Sequence, residues 1–83
     1  MRLPRDLTGA ELAKRLERLG YRVTRQTGSH LRLSCDLPEQ HHVTVPNHDP
    51  LRVGTLAAIL TDVASHHGLN RDELLQQLAG GKA

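Results

Sequence analysis

Residues 21–45 read YRVTRQTGSHLRLSCDLPEQHHVTV, three short runs in which apolar and polar side chains alternate. A period of two is the signature of a half-buried strand, because successive side chains point to opposite faces. The runs cover 21–26, 30–35 and 41–45. Tyr21 and Val23 share a face in the first, Leu31, Leu33 and Cys35 in the second, and Val43 and Val45 in the third. Pairing Val23 with Leu33 keeps both inward and leaves Thr27, Gly28 and Ser29 as a three-residue turn, with Gly28 free to take the backbone angles a tight turn demands. A two-residue turn would set Val23 against Ser34 and mix the faces. The same test pairs Leu33 with Val43 and Leu31 with Val45, with 36–40 as the loop. The expectation is a three-stranded antiparallel sheet with 30–35 in the middle.

Helices flank this sheet. Residues 8–19, TGAELAKRLERL, carry an apolar stripe at Leu12, Ala13, Leu16 and Leu19, and Thr8 and Glu11 have capping-box spacing. Gly20 is placed to end the helix in a left-handed conformation. Residues 54–67 repeat the pattern with Leu56, Ile59, Leu60, Val63 and Ala64, closed by Gly68. Asn70 and Glu73 announce a short last helix over about 70–79, and 80–83 read as a frayed tail. The order is α-β-β-β-α plus a C-terminal helix, an α+β fold. At 83 residues the chain reads as one domain over 1–83, with its core in about 6–68.

Composition narrows the function classes. The chain has no Phe or Trp and one tyrosine, Tyr21, so its core is aliphatic and it lacks rings on which to stack bases. A net charge of +2 and a pI near 9.2 permit a polyanionic partner without requiring one. Cys35 is the only cysteine, which rules out an intramolecular disulfide and suits a reducing cytoplasm. Residues 1–6 lead into a charged amphipathic stretch rather than an apolar core, and no run is long enough to span a membrane. The expectation is a soluble cytoplasmic domain.

The open face of the predicted sheet carries His30, Arg32 and Ser34. In the predicted register Gln26 and Pro46 flank His30, Thr44 continues the face, and Asn47 and His48 fall close by. An imidazole with an unperturbed pKa near 6.5 can take a proton from an RNA 2′-hydroxyl, and a cation can offset charge building on the phosphate. The residues therefore suit cleavage of RNA through its own 2′-hydroxyl. A non-catalytic RNA-binding module and a protein-docking surface are the competing readings.

Three segments, LTGAELAKRLERLGYRVTRQTGSH (7–30), HHVTVPNH (41–48) and GTLAAIL (54–60), resemble in order the HicA toxin family of bacterial toxin–antitoxin pairs. The resemblance implies a double-stranded-RNA-binding-domain-like fold and an endoribonuclease that cleaves messenger RNA independently of the ribosome. It makes the GSH histidine, His30, the catalytic residue, presented by Gly28 and Ser29. It implies a HicB-type antitoxin that masks that surface as a hetero-oligomer. His48 matches the family's VP-x-H histidine and is a candidate acid or phosphate ligand. Arg32 on the open face, and Arg25 reaching around the rim from the inward face, are the candidate RNA contacts.

The remaining residues read more plainly. Lys14, Arg15 and Arg18 fall on the solvated back of the first helix, Cys35 in the core, and His67 on the apolar stripe of the second helix. No metal or other cofactor is expected: His41 and His42 point to opposite faces, His66 and His67 lie about 100° apart on a helix, and no metal-ligand spacing occurs.

Overall fold

Thr8 starts the first helix as the spacing predicts. Its hydroxyl accepts from the Glu11 N–H at 3.1 Å, and the Glu11 carboxylate accepts from the Thr8 N–H at 2.9 Å. In the computed structural model, which describes residues 6–79, helix α1 spans Gly9–Leu16 and tightens into a 3₁₀ turn over Glu17–Leu19. Gly20 closes it with φ 92°, the left-handed geometry that glycine adopts without a Cβ clash. Strands β1 (Arg22–Thr27), β2 (His30–Cys35) and β3 (His41–Pro46) follow, then α2 (Val53–His67) and α3 (Arg71–Leu78). Gly68, at φ 67°, ends α2, and the predicted Asn70–Glu73 capping box opens α3.

The sheet is antiparallel in the order β1-β2-β3. Its inward face contributes Leu31, Leu33, Cys35, Val43 and Val45 to a core completed by Leu12 and Leu16 from α1, Ile59, Leu60 and Val63 from α2, and Leu74 and Leu78 from α3. Each such aliphatic side chain stabilises the fold by about 1.5–3 kcal/mol on burial. The helices cover this face only, leaving the other open. This is the α+β, double-stranded-RNA-binding-domain-like arrangement, with α3 added. The predicted tail at 80–83 lies outside the described residues.

Two departures from the predicted pattern reach the open face. The β2–β3 register is as expected, with Leu33 opposite Val43 and Leu31 opposite Val45. Between β1 and β2, Val23 does face Leu33, but a bulge at Thr24 then shifts the ladder, so that Arg25 opposes Arg32, Gln26 opposes Leu31 and Thr27 opposes His30. The turn is therefore two residues, Gly28 and Ser29, rather than three. An extra residue in one strand reconciles the short turn with the buried pairing. Val23, on this edge strand, is 44% exposed.

Arg15 also departs from expectation. It is half-buried, and its guanidinium donates to the Leu78 carbonyl at 3.1 Å, satisfying one of the free acceptors at the end of α3. Gly9 has a packing role. A Cβ there would lie 2.0 Å from the Pro46 carbonyl oxygen, so helix α1 seats its first residue directly on the backbone that leaves β3.

Candidate functional site

The turn that presents His30 is built from backbone. Gly28 has φ 56° and no non-glycine residue among the described ones has positive φ, so only the first of the two central residues is left-handed. That is the pattern of a II′ hairpin turn, which requires glycine at this place. The Asn47 N–H donates to the Ser29 carbonyl at 2.6 Å, and the Gly9 N–H donates to the His48 carbonyl at 2.9 Å. The start of β2, the end of β3 and the head of α1 are thus tied together by main chain. Gly28, Ser29, His30, Asn47 and His48 are all exposed at this end.

His30 lies between Thr27 and Pro46. The neighbour on the β1 side is Thr27, not Gln26, because of the bulge. The same shift corrects Arg25. It stands directly across from Arg32, and residues opposed in a ladder share a face. Arg25 therefore projects from the open face rather than reaching around a rim. Both arginines are exposed, and neither forms an ion pair among the described residues. Like charges directly opposed across a ladder destabilise the bare sheet. An anion seated between them removes that cost.

Sequence reasoning left His42 without a role, although strand parity alone places it outward between the inward His41 and Val43. Its Nδ1 lies 2.6 Å from the Ser34 hydroxyl, which in turn lies 3.2 Å from the Thr24 hydroxyl. The Thr24 side chain comes from the bulge, so the irregularity in β1 also closes over Ser34 and leaves it 7% exposed. His42 is four residues along the ladder from the Pro46–His30 pair, roughly 13 Å away.

A second polar group lies at the opposite end of the sheet. The Tyr21 hydroxyl is 2.5 Å from His41 Nδ1 and 3.1 Å from His67 Nε2. His41 Nε2 is 3.2 Å from an Asp62 carboxylate oxygen, and His66 Nε2 is 2.9 Å from the Glu39 carbonyl. The His41 and His66 rings stack with centroids 4.1 Å apart. Burial, then a hydrogen bond to Cys35, pushes the Tyr21 hydroxyl pKa well above its usual range. Burial, then the neighbouring His66 and His41 imidazoles, holds that of His67 below the histidine norm. Weighing adjacent histidines in pairs could not reveal this group, which is drawn from Tyr21, the start of β3 and the end of α2.

Against known families, residues 9–64 match the model described as the HicA toxin of bacterial toxin–antitoxin systems. The chain belongs to the HicA toxin family. The match runs from the head of α1 through most of α2, so it contains the whole sheet, the turn before His30 and both arginines. Neither the curated proteins nor the solved structures hold a significant match. As a HicA-family toxin the chain has an antitoxin for its partner. No helix among the described residues is long and apolar enough to cross a membrane.

Proposed function

We propose that this HicA-family toxin is an endoribonuclease of messenger RNA, acting in the cytoplasm, with His30 as its general base. The observation that carries the reading is the opposition of Arg25 and Arg32, two guanidiniums without an ion-pair partner among the described residues, on the open face two residues along β2 from an exposed imidazole. A phosphodiester held between the arginines brings a neighbouring 2′-hydroxyl within reach of His30. The imidazole takes the hydroxyl proton, O2′ attacks phosphorus and the P–O5′ bond breaks. The departing O5′ takes a proton from a general acid, for which His48 is the candidate. The products are a 2′,3′-cyclic phosphate and a 5′-hydroxyl. Gly28 and Ser29 act by fixing the turn and offering backbone to the RNA. No step in this route calls on a metal ion.

A HicB-type antitoxin that covers the open face would silence all of these groups together. The test is cleavage of a defined RNA by the purified chain in EDTA, with analysis of the product ends. General acid–base assistance typically contributes about 10²- to 10⁴-fold, so His30→Ala should lose activity on that scale while keeping its circular dichroism and melting temperature. A folded His30→Ala protein that cuts as fast as the parent removes His30 from the chemistry. RNA binding without any cleavage by the parent favours a non-catalytic binding module.

A further inference from the structure

The polar group at the far end of the sheet brings three metal-ligating side chains together. Cys35, His41 and His66 each offer one ligand atom, and these atoms lie within 4.8 Å of one another. They come from the end of β2, the start of β3 and the last turn of α2. The partners of the two imidazoles fix which ring nitrogen carries the lone pair. The Glu39 carbonyl can only accept, so His66 Nε2 carries the hydrogen and neutral His66 keeps its lone pair on Nδ1. The Asp62 carboxylate likewise takes the Nε2 hydrogen of His41, leaving the lone pair on His41 Nδ1. That atom accepts the Tyr21 hydroxyl, which in turn accepts from His67 Nε2. Metal-binding histidines are commonly held this way, with the other ring nitrogen donating to a carboxylate or backbone carbonyl.

We propose that Cys35, His41 and His66 form a binding site for zinc(II), with the fourth position taken by water. A thiolate and two imidazoles are a borderline-soft set that suits zinc and disfavours magnesium or calcium. Bonds of about 2.0–2.3 Å to a tetrahedral ion place donor atoms roughly 3.3–3.8 Å apart, so side-chain rotations of about 1 Å close the site. The Cys35 thiol makes a long contact of 3.4 Å to the Leu37 carbonyl and lies beside the Tyr21 hydroxyl. Binding releases its proton to solvent, and the Tyr21 hydroxyl turns from His41 Nδ1 to the new thiolate. The site lies at the other end of β2 from His30, five residues or roughly 17 Å away. Its role is to staple α2 to the β2–β3 loop, independent of RNA cleavage.

The experiment uses the untagged full chain, stripped with EDTA and titrated with zinc(II) alone while melting is followed, and with cobalt(II) as a spectroscopic substitute. At zinc a hundredfold above its dissociation constant the melting temperature should rise by on the order of 10 °C, with one ion bound. Cobalt should give a thiolate-to-metal charge-transfer band that Cys35→Ser abolishes. His66→Gln, at a half-buried position on the surface of α2, keeps the fold if Cys35→Ser does not, and should remove the thermal shift. No thermal shift, a shift that survives His66→Gln, or a cobalt spectrum without the thiolate band would each overturn the site. RNA cleavage below the melting temperature is unchanged in either case.

Discussion

At the scale of single residues, the arginine pair and Gly9 carry the sharpest expectations. If Arg25 and Arg32 each meet a phosphate, replacing either with alanine weakens RNA binding and lowers the salt dependence of affinity by about 0.7 in the log–log slope, the value for one single-strand contact. Because the bare sheet sets like charges against each other, the same substitutions should leave the melting temperature unchanged or slightly higher. A fluorescence-anisotropy titration at several salt concentrations, beside a melt of each variant, checks both halves. Gly9→Ala behaves oppositely. It touches no open-face group, yet its methyl would collide with the Pro46 carbonyl. Overpacking of this kind costs about 1–3 kcal/mol, and the shift in the Pro46–His48 backbone should slow cleavage as well. Denaturant melts and RNA turnover read the two effects.

At the scale of elements, the capping boxes, the terminal glycines and the middle strand were legible in the sequence because each rests on local chemistry. Thr8 with Glu11, Asn70 with Glu73, and the inward series Leu31, Leu33, Cys35 signal helix starts and strand parity through nearest neighbours alone. The bulge at Thr24 was not legible. Nothing in RVTRQT distinguishes a regular strand from one with an inserted residue, and the choice is made by the short turn and by the burial of Leu33 on the neighbouring strand. One unseen residue moved Arg25 from the inward face to the outward one. Arg15 was misjudged for a similar reason, since its acceptor, the Leu78 carbonyl, lies 63 residues away. Helix α3 lies beyond the matched family region and is nonetheless part of the core, with Leu74 and Leu78 fully buried. Leu74→Ala should therefore cost about 2–5 kcal/mol, measurable as a lowered urea midpoint with little change in slope.

At the scale of the whole molecule, the two ends of the sheet are held by different means. The His30 end is fastened by main-chain hydrogen bonds from Asn47 and Gly9, whereas the far end depends on Tyr21, His41, His66, His67 and Asp62. The depressed pKa of His67 gives the pH dependence a sign. Between its folded value and the ordinary value near 6.5 the unfolded chain binds the proton and the folded chain does not, so stability is present above about pH 6.5 and is lost as pH falls below it. Melting temperature should decline from pH 7 to pH 5.5, and His67→Gln should flatten that decline. These groups also explain why the candidate site was only half readable beforehand. The GSH turn is contiguous, whereas the histidine network is assembled from Tyr21, the start of β3 and the end of α2, which meet only in the folded chain. Mild acid should accordingly fray the molecule from one side: amide protection factors would drop around residues 35–41 and 62–67 while those flanking the GSH turn hold, leaving a toxin that loosens at its far end without blunting its edge.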